Sequence, residues 1–209
     1  MRKTTPIARS KTAALSRILD LIPKGYTRYT TGKVSVSKVA RVIQKFHDRH
    51  HIGATPGQRL LRKQQGRANA LLVLYWLHEA ETVDWLLLFS PGELASPETL
   101  HEVTAKPRLV WLDYELVRYA NRGATSWTWR RTKAEMQETY AFCSDALHRH
   151  CPAVLEAALT RMAHQPGFHG VREQTLTLYR WLTQHGYSNP CPPLYYVQKI
   201  SHGERWQVE

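Results

Sequence analysis

The sequence predicts an α+β fold: a basic helical N-terminal part, then antiparallel β-hairpins packed with a C-terminal helical segment. Three observations predict it. Residues 1–67 carry amphipathic segments with helix caps. Between residues 70 and 131 come apolar and aromatic runs of strand length, separated by short polar stretches. From Lys133 onward the apolar residues return to helical spacing, which places helices after strands rather than between them.

The elements follow in order. Ser10 to Leu21 places apolar residues at Ala13, Ala14, Leu15, Ile18, Leu19 and Leu21, a short amphipathic helix that Pro23 and Gly25 stop. Gly25 to Gly32 reads as a Thr/Gly-rich loop with Tyr26, Arg28 and Tyr29. A second helix starts at Ser35 or Ser37 and runs to about His50, with Val39, Val42, Ile43 and Phe46 facing the core. After the Ile52-Gly53-Ala54 turn, Thr55-Pro56 opens a third helix that reaches Gln65, with Leu60 and Leu61 as its inward face.

Ala70–Leu77 and Val83–Phe89 then form a hairpin around His78–Thr82. Ser96–Thr104 reads as a short helix capped by Ser96-Pro97-Glu98. Leu109–Tyr119 and Thr125–Arg131 flank Asn121-Arg122-Gly123 as a second hairpin. Three helices are expected from Lys133 to His150, Ala153 to His164 and Val171 to His185. Leu194–Ile200 is expected as a strand, with Trp206–Val208 as its hairpin partner.

The positive charge is concentrated in the first third. Residues 1–67 hold 16 Lys/Arg against only Asp20 and Asp48, while residues 68–209 hold 13 Lys/Arg against 15 Asp/Glu. This asymmetry divides the chain into a basic part, 1–67, and a near-neutral α+β body, 68–209. A local field of this sign attracts polyanions, and counterion release from a phosphate backbone is the usual source of such affinity. Seven Trp and ten Tyr argue against a disordered basic tail. The longest apolar run is too short to span a bilayer, Met1–Pro6 lacks an apolar signal segment, and Cys143, Cys151 and Cys191 do not form a disulfide scaffold. Together these predict a soluble cytoplasmic protein.

The third helix and its end carry Gln58, Arg59, Arg62, Lys63, Gln64, Gln65 and Arg67. Arg and Gln read guanine and adenine edges bidentately, and two helices on a short glycine-containing turn suit a helix-turn-helix reader. The preceding loop adds Lys24, Tyr26, Arg28, Tyr29 and Lys33, a mixture of stacking and phosphate-holding side chains. Period-two alternation puts Trp127 and Trp129 on one strand face, a core pattern, with Arg130 and Arg131 nearby to extend the basic surface.

For chemistry the chain offers fragments. His148-Arg149-His150 with Tyr195, Tyr196 and Lys199 partly resembles the rolling-circle nickases, which hold a metal with two His around an apolar residue and attack with a Tyr, often in Tyr-x-x-Lys. Tyr196-Val-Gln-Lys199 fits that spacing. Arg149 departs from the first motif, and on a helix the two His would point about 200° apart. Cys143, His148 and Cys151 do not converge as zinc ligands on a helix. His47, Asp48, His50 and His51 suit a helix C-terminus, or a His-dependent ribonuclease. Gly167–Gly170 matches no phosphate-binding glycine loop.

The expected function is therefore nucleic-acid binding by a non-enzymatic protein, with duplex DNA slightly ahead of RNA and no cofactor or metal. The neutral body would dock a protein partner within a larger replication, mobile-element or ribonucleoprotein complex, with no membrane partner. The alternative is a phosphodiester-cleaving enzyme, a Tyr nickase or a His-dependent ribonuclease.

Overall fold

The computed structural model describes residues 4–121, 123–197 and 204–207. In chain order the elements are β1 (Thr4–Ala8), α1 (Lys11–Leu21), a 3₁₀ turn (Ile22–Lys24), β2 (Arg28–Ser35), α2 (Val36–His50), α3 (Pro56–Gln64), β3 (Ala70–Tyr75) and β4 (Thr82–Phe89). They continue with β5 (His101–Glu102), β6 (Val110–Trp111), β7 (Tyr114–Asn121), β8 (Ala124–Arg131), α4 (Lys133–His148), α5 (Pro152–Ala163), α6 (His169–Gln184) and β9 (Glu204–Gln207). The fold is α+β, with two mostly antiparallel sheets. No helix among the described residues is long and apolar enough to cross a membrane.

The chain divides into two compact units, Met1–Pro107 with Ile200–Glu209, and Arg108–Lys199. The boundary expected at residue 67 falls inside the first of these. The reason is sheet pairing: β2, before that boundary, is hydrogen-bonded along its whole length to β4, after it.

The first unit is a six-stranded sheet in the order β5-β2-β4-β3-β1-β9, with β1 and β3 as its parallel pair. The β3–β4 hairpin is central and buried on both faces, as its near-continuous apolar sequence demands. On one face Leu72, Leu74, Val83, Leu87 and Phe89 pack with Val39, Ile43 and Phe46 of α2. α1 lies against β3, capped by Ser10 Oγ, which accepts from Ala13 N at 3.1 Å, and buries Leu15 and Ile18.

In the second unit β6, β7 and β8 form a meander. Gly170, at the start of α6, meets β8, where its N–H donates to Thr128 Oγ1 at 3.1 Å and a Cβ would come within 2.7 Å of the Trp129 carbonyl. α4, α5 and α6 share a core of Cys143, Leu155, Leu159, Leu178 and Leu182.

Several expectations are corrected. The stretch read as a loop before Gly32 becomes β2 from Arg28 onward, because β4 supplies a full ladder that the Thr-rich sequence can extend along. Ser96–Thr104 forms no helix. Leu100 packs into the α2 core, His101–Glu102 pair with β2 as β5, and Val103, buried, donates its N–H to Thr27 O, so the segment is held by the sheet edge. Leu109–Tyr119 is two strands, because Leu112 and Asp113 both take positive φ and turn the chain between β6 and β7.

Leu194–Val197 is not a strand, and Gln198–Ile200 lies outside the described residues. β9 pairs instead with β1, an element the sequence did not announce because Pro6 interrupts it. Arg122 and Val208 also lie outside the described residues.

Candidate nucleic-acid interface

α2 is the element that organises the basic surface. Its inward residues are fixed by the sheet, and the remaining face must be wet. There Lys38, Arg41, Lys45 and Arg49 are exposed, spaced by three, four and four residues. At 100° per residue they fall within an arc of about 80°, over a length of about 16 Å. Among the described residues none of the four pairs with a carboxylate. Lys45 Nζ lies 5.7 Å from the Phe46 ring centre. Asp48, beside the stripe, accepts from Gln44 Nε2 at 2.7 Å. In the sequence the Arg/Gln content of the third helix outweighs this stripe. The 3-4-4 spacing opposite the core face was the available signal.

α2 ends at His51, which caps it in the left-handed region at φ 53 and donates its N–H to His47 O. α3 then opens with a capping box: Thr55 Oγ1 accepts from Gln58 N at 3.3 Å, and Gln58 Oε1 accepts from Thr55 N at 2.8 Å. Leu60 and Leu61, expected to face inward, are 58% and 54% exposed, and α3 has no buried residue. Polar ties hold it instead. Asn69 Nδ2 donates to Arg59 O at 2.9 Å, and Arg62 Nη2 donates to Ala68 O at 3.0 Å. The sheet, rather than a trihelical core, is what α2 packs on, so the helix-turn-helix geometry lacks its usual basis.

The expected contact residues separate into two groups. Lys24, Gln58, Lys63, Gln64, Gln65 and Arg67 are exposed, and Arg59 is half-buried. Lys33 is exposed but lies 3.4 Å from Asp84. The others have structural duties. Tyr26 and Tyr29 are 9% and 7% exposed and unavailable for stacking; burial raises the pKa of both. Arg28 Nη2 donates to Ser90 O at 2.5 Å and Gly92 O at 2.9 Å, holding the turn after β4.

In the second unit Arg130 pairs with Glu115 at 2.7 Å across the β7–β8 ladder. Arg131 is 1% exposed and is no part of any surface. Its guanidinium donates to Gln165 Oε1, Thr175 Oγ1 and the carbonyls of Val171 and Met162, and desolvation lowers its pKa.

The histidine-rich end of α2 also divides. His50 turns inward, 3.0 Å from Glu98 Oε1 and edge-on to Phe89. His47, Asp48 and His51 line a cavity of about 520 Å³, which Gln58, Leu61 and Arg62 close from the α3 side.

For the nickase reading, His148 Nδ1 bonds Ser144 O within its own helix at 2.7 Å, and His150 lies beyond that helix at φ 51. Tyr196 sits under the Arg172 guanidinium at 3.7 Å. Lys199 lies outside the described residues. No group of three or more His, Cys, Asp or Glu among the described residues is arranged to hold a metal ion.

Comparison with protein-family models, with curated proteins and with solved structures found no match to this chain.

Proposed function

We propose that this protein binds nucleic acid through the basic face of α2 and the exposed end of α3. The observation that carries the reading is the stripe Lys38, Arg41, Lys45 and Arg49, four cations on one helix face with no carboxylate partner among the described residues. A stripe of that length follows a phosphate backbone, and the repulsion it stores in the free protein is relieved when phosphates replace mobile counterions. Lys63 and Arg67 continue the positive field past the joint, and Gln64 and Gln65 are free of core duties there.

The test is binding of the full chain to labelled DNA and RNA over a salt series, read by fluorescence anisotropy. Replacing all four stripe residues by Ala should flatten the slope of log affinity against log salt by about three to four. An unchanged slope would remove the stripe from the interface. Metal-dependent cutting of the ligand on a denaturing gel would favour the nuclease class instead.

A further inference from the structure

The cavity at the α2–α3 joint is lined by a mixture of polar and apolar side chains from both helices. Its volume, about 520 Å³, lies within the range of small-ligand pockets, and it is open to solvent on one side. Its polar and apolar groups are complementary to the parts of a nucleotide. His51 and Leu61 supply a ring and an aliphatic surface for a base. Gln58 spends its Oε1 on Thr55 N, which leaves its amide N–H groups as donors. Arg62 uses one of its N–H donors, through Nη2 to Ala68 O, and its Nε is buried without an acceptor.

The cavity is also pre-formed. His47 Nε2 is 2.9 Å from Thr5 Oγ1, and Gly53 lies so close that a Cβ there would come 2.8 Å from His47 Cε1. A second hollow, of about 280 Å³, shares His51 and Arg62 as walls and adds Arg67 and Glu93. The two hollows thus set two guanidiniums, Arg62 and Arg67, with one carboxylate, Glu93, along adjoining walls.

We propose that this cavity holds a single unpaired nucleotide, its base between His51 and Leu61 and its phosphate on Arg62. The ligand is then single-stranded nucleic acid or an unpaired strand end, since a duplex keeps its bases stacked unless one is turned out. The inference rests on the nucleic-acid reading and narrows it to a ligand class.

The experiment uses two variants of equal charge on adjacent exposed residues. Leu61→Glu puts a carboxylate on the cavity wall, while Leu60→Glu puts it on the same helix without lining the cavity. Three ligands are compared by anisotropy: a short single strand, the same strand with every base replaced by an abasic analogue, and the blunt duplex.

The expected result is tenfold or so weaker binding of the single strand by Leu61→Glu than by Leu60→Glu, with the two variants alike on the abasic strand and the duplex. Equal behaviour of the two variants on every ligand would overturn the nucleotide site. If binding were still weakened by loss of the α2 stripe, the broader reading would survive that result. Failure of the parent protein to bind any strand would overturn both. Thermal melts of both variants establish that each is folded, and both residues are exposed enough for folding to be retained.

Discussion

Gly32 stands directly across from Trp85 in the β2–β4 ladder, and the indole occupies the space that a side chain at Gly32 would need. A Cβ there would come 2.6 Å from Trp85 Cζ2. The same indole meets Phe46 of α2 edge-on at 5.0 Å, so the glycine lets a sheet residue support the helix that bears the cation stripe. Gly32→Ala should therefore cost about 1–3 kcal/mol through overpacking. Chemical denaturation measures the loss, and near-ultraviolet circular dichroism reports the displaced indole. A neutral Gly32→Ala would mean that the ring relocates without strain.

Arg131 is the reverse case, a cation that serves the interior. Replacing it by Ala leaves Gln165 Oε1 and Thr175 Oγ1 without a donor they now share. A loss of about 2–5 kcal/mol is expected in the unfolding of the second unit, from the unsatisfied neutral acceptors and the space left behind. Its salt slope for nucleic acid should match that of the parent protein, measured below the unfolding transition. A flattened slope would place Arg131 in the interface after all.

Alkaline pH should destabilise the second unit. Burial pushes Tyr114 and Tyr179 up to about 12 and the Cys143 thiol up to about 11, from 10.0 and 9.0 respectively. These groups ionise earlier in the unfolded chain than in the folded one. Their contribution is complete below pH 9 and is lost progressively as pH rises toward 12, at about 1.4 kcal/mol per group per pH unit within its window. Melting temperatures from pH 8 upward, with tyrosinate absorbance followed at 295 nm, roughly the tyrosinate maximum, check the direction. A flat profile across that range would contradict it.

α3 depends on its cap because no side chain of it is buried. Thr55→Ala should cost about 1 kcal/mol and speed amide exchange throughout Pro56–Gln64. Amide exchange in α2, anchored by Val39, Ile43 and Phe46, should be unaffected. Uniform acceleration in both helices would show that they open together.

Local chemistry announced much of this. Thr55-Pro56 was legible as a helix start, the apolar spacing of α1 and α2 was plain, and the β3–β4 hairpin was visible as two apolar runs about a polar turn. The exposed contact candidates Lys63, Gln64, Gln65 and Arg67 were legible because a short helix with two leucines cannot bury the five polar residues it carries and those just past its end. Their burial-dependent companions were not. Tyr26, Tyr29 and Arg131 look, as residue types, like surface-binding groups, and only the packing around them removes them from solvent.

The sequence by itself determined where the charge lies, where α1 to α6 run and that a sheet follows the basic helices, because caps, periodicity and composition act over a few residues. Tertiary structure alone decided that β1, β2, β5 and β9 join that sheet, since weak strand sequences become strands only when a neighbour offers its backbone groups. It also decided which cations are free. An arginine whose donors meet carbonyls from distant segments is a brace, and one on the wet face of α2 is left to solvent. That distinction depends on residues far apart in the chain.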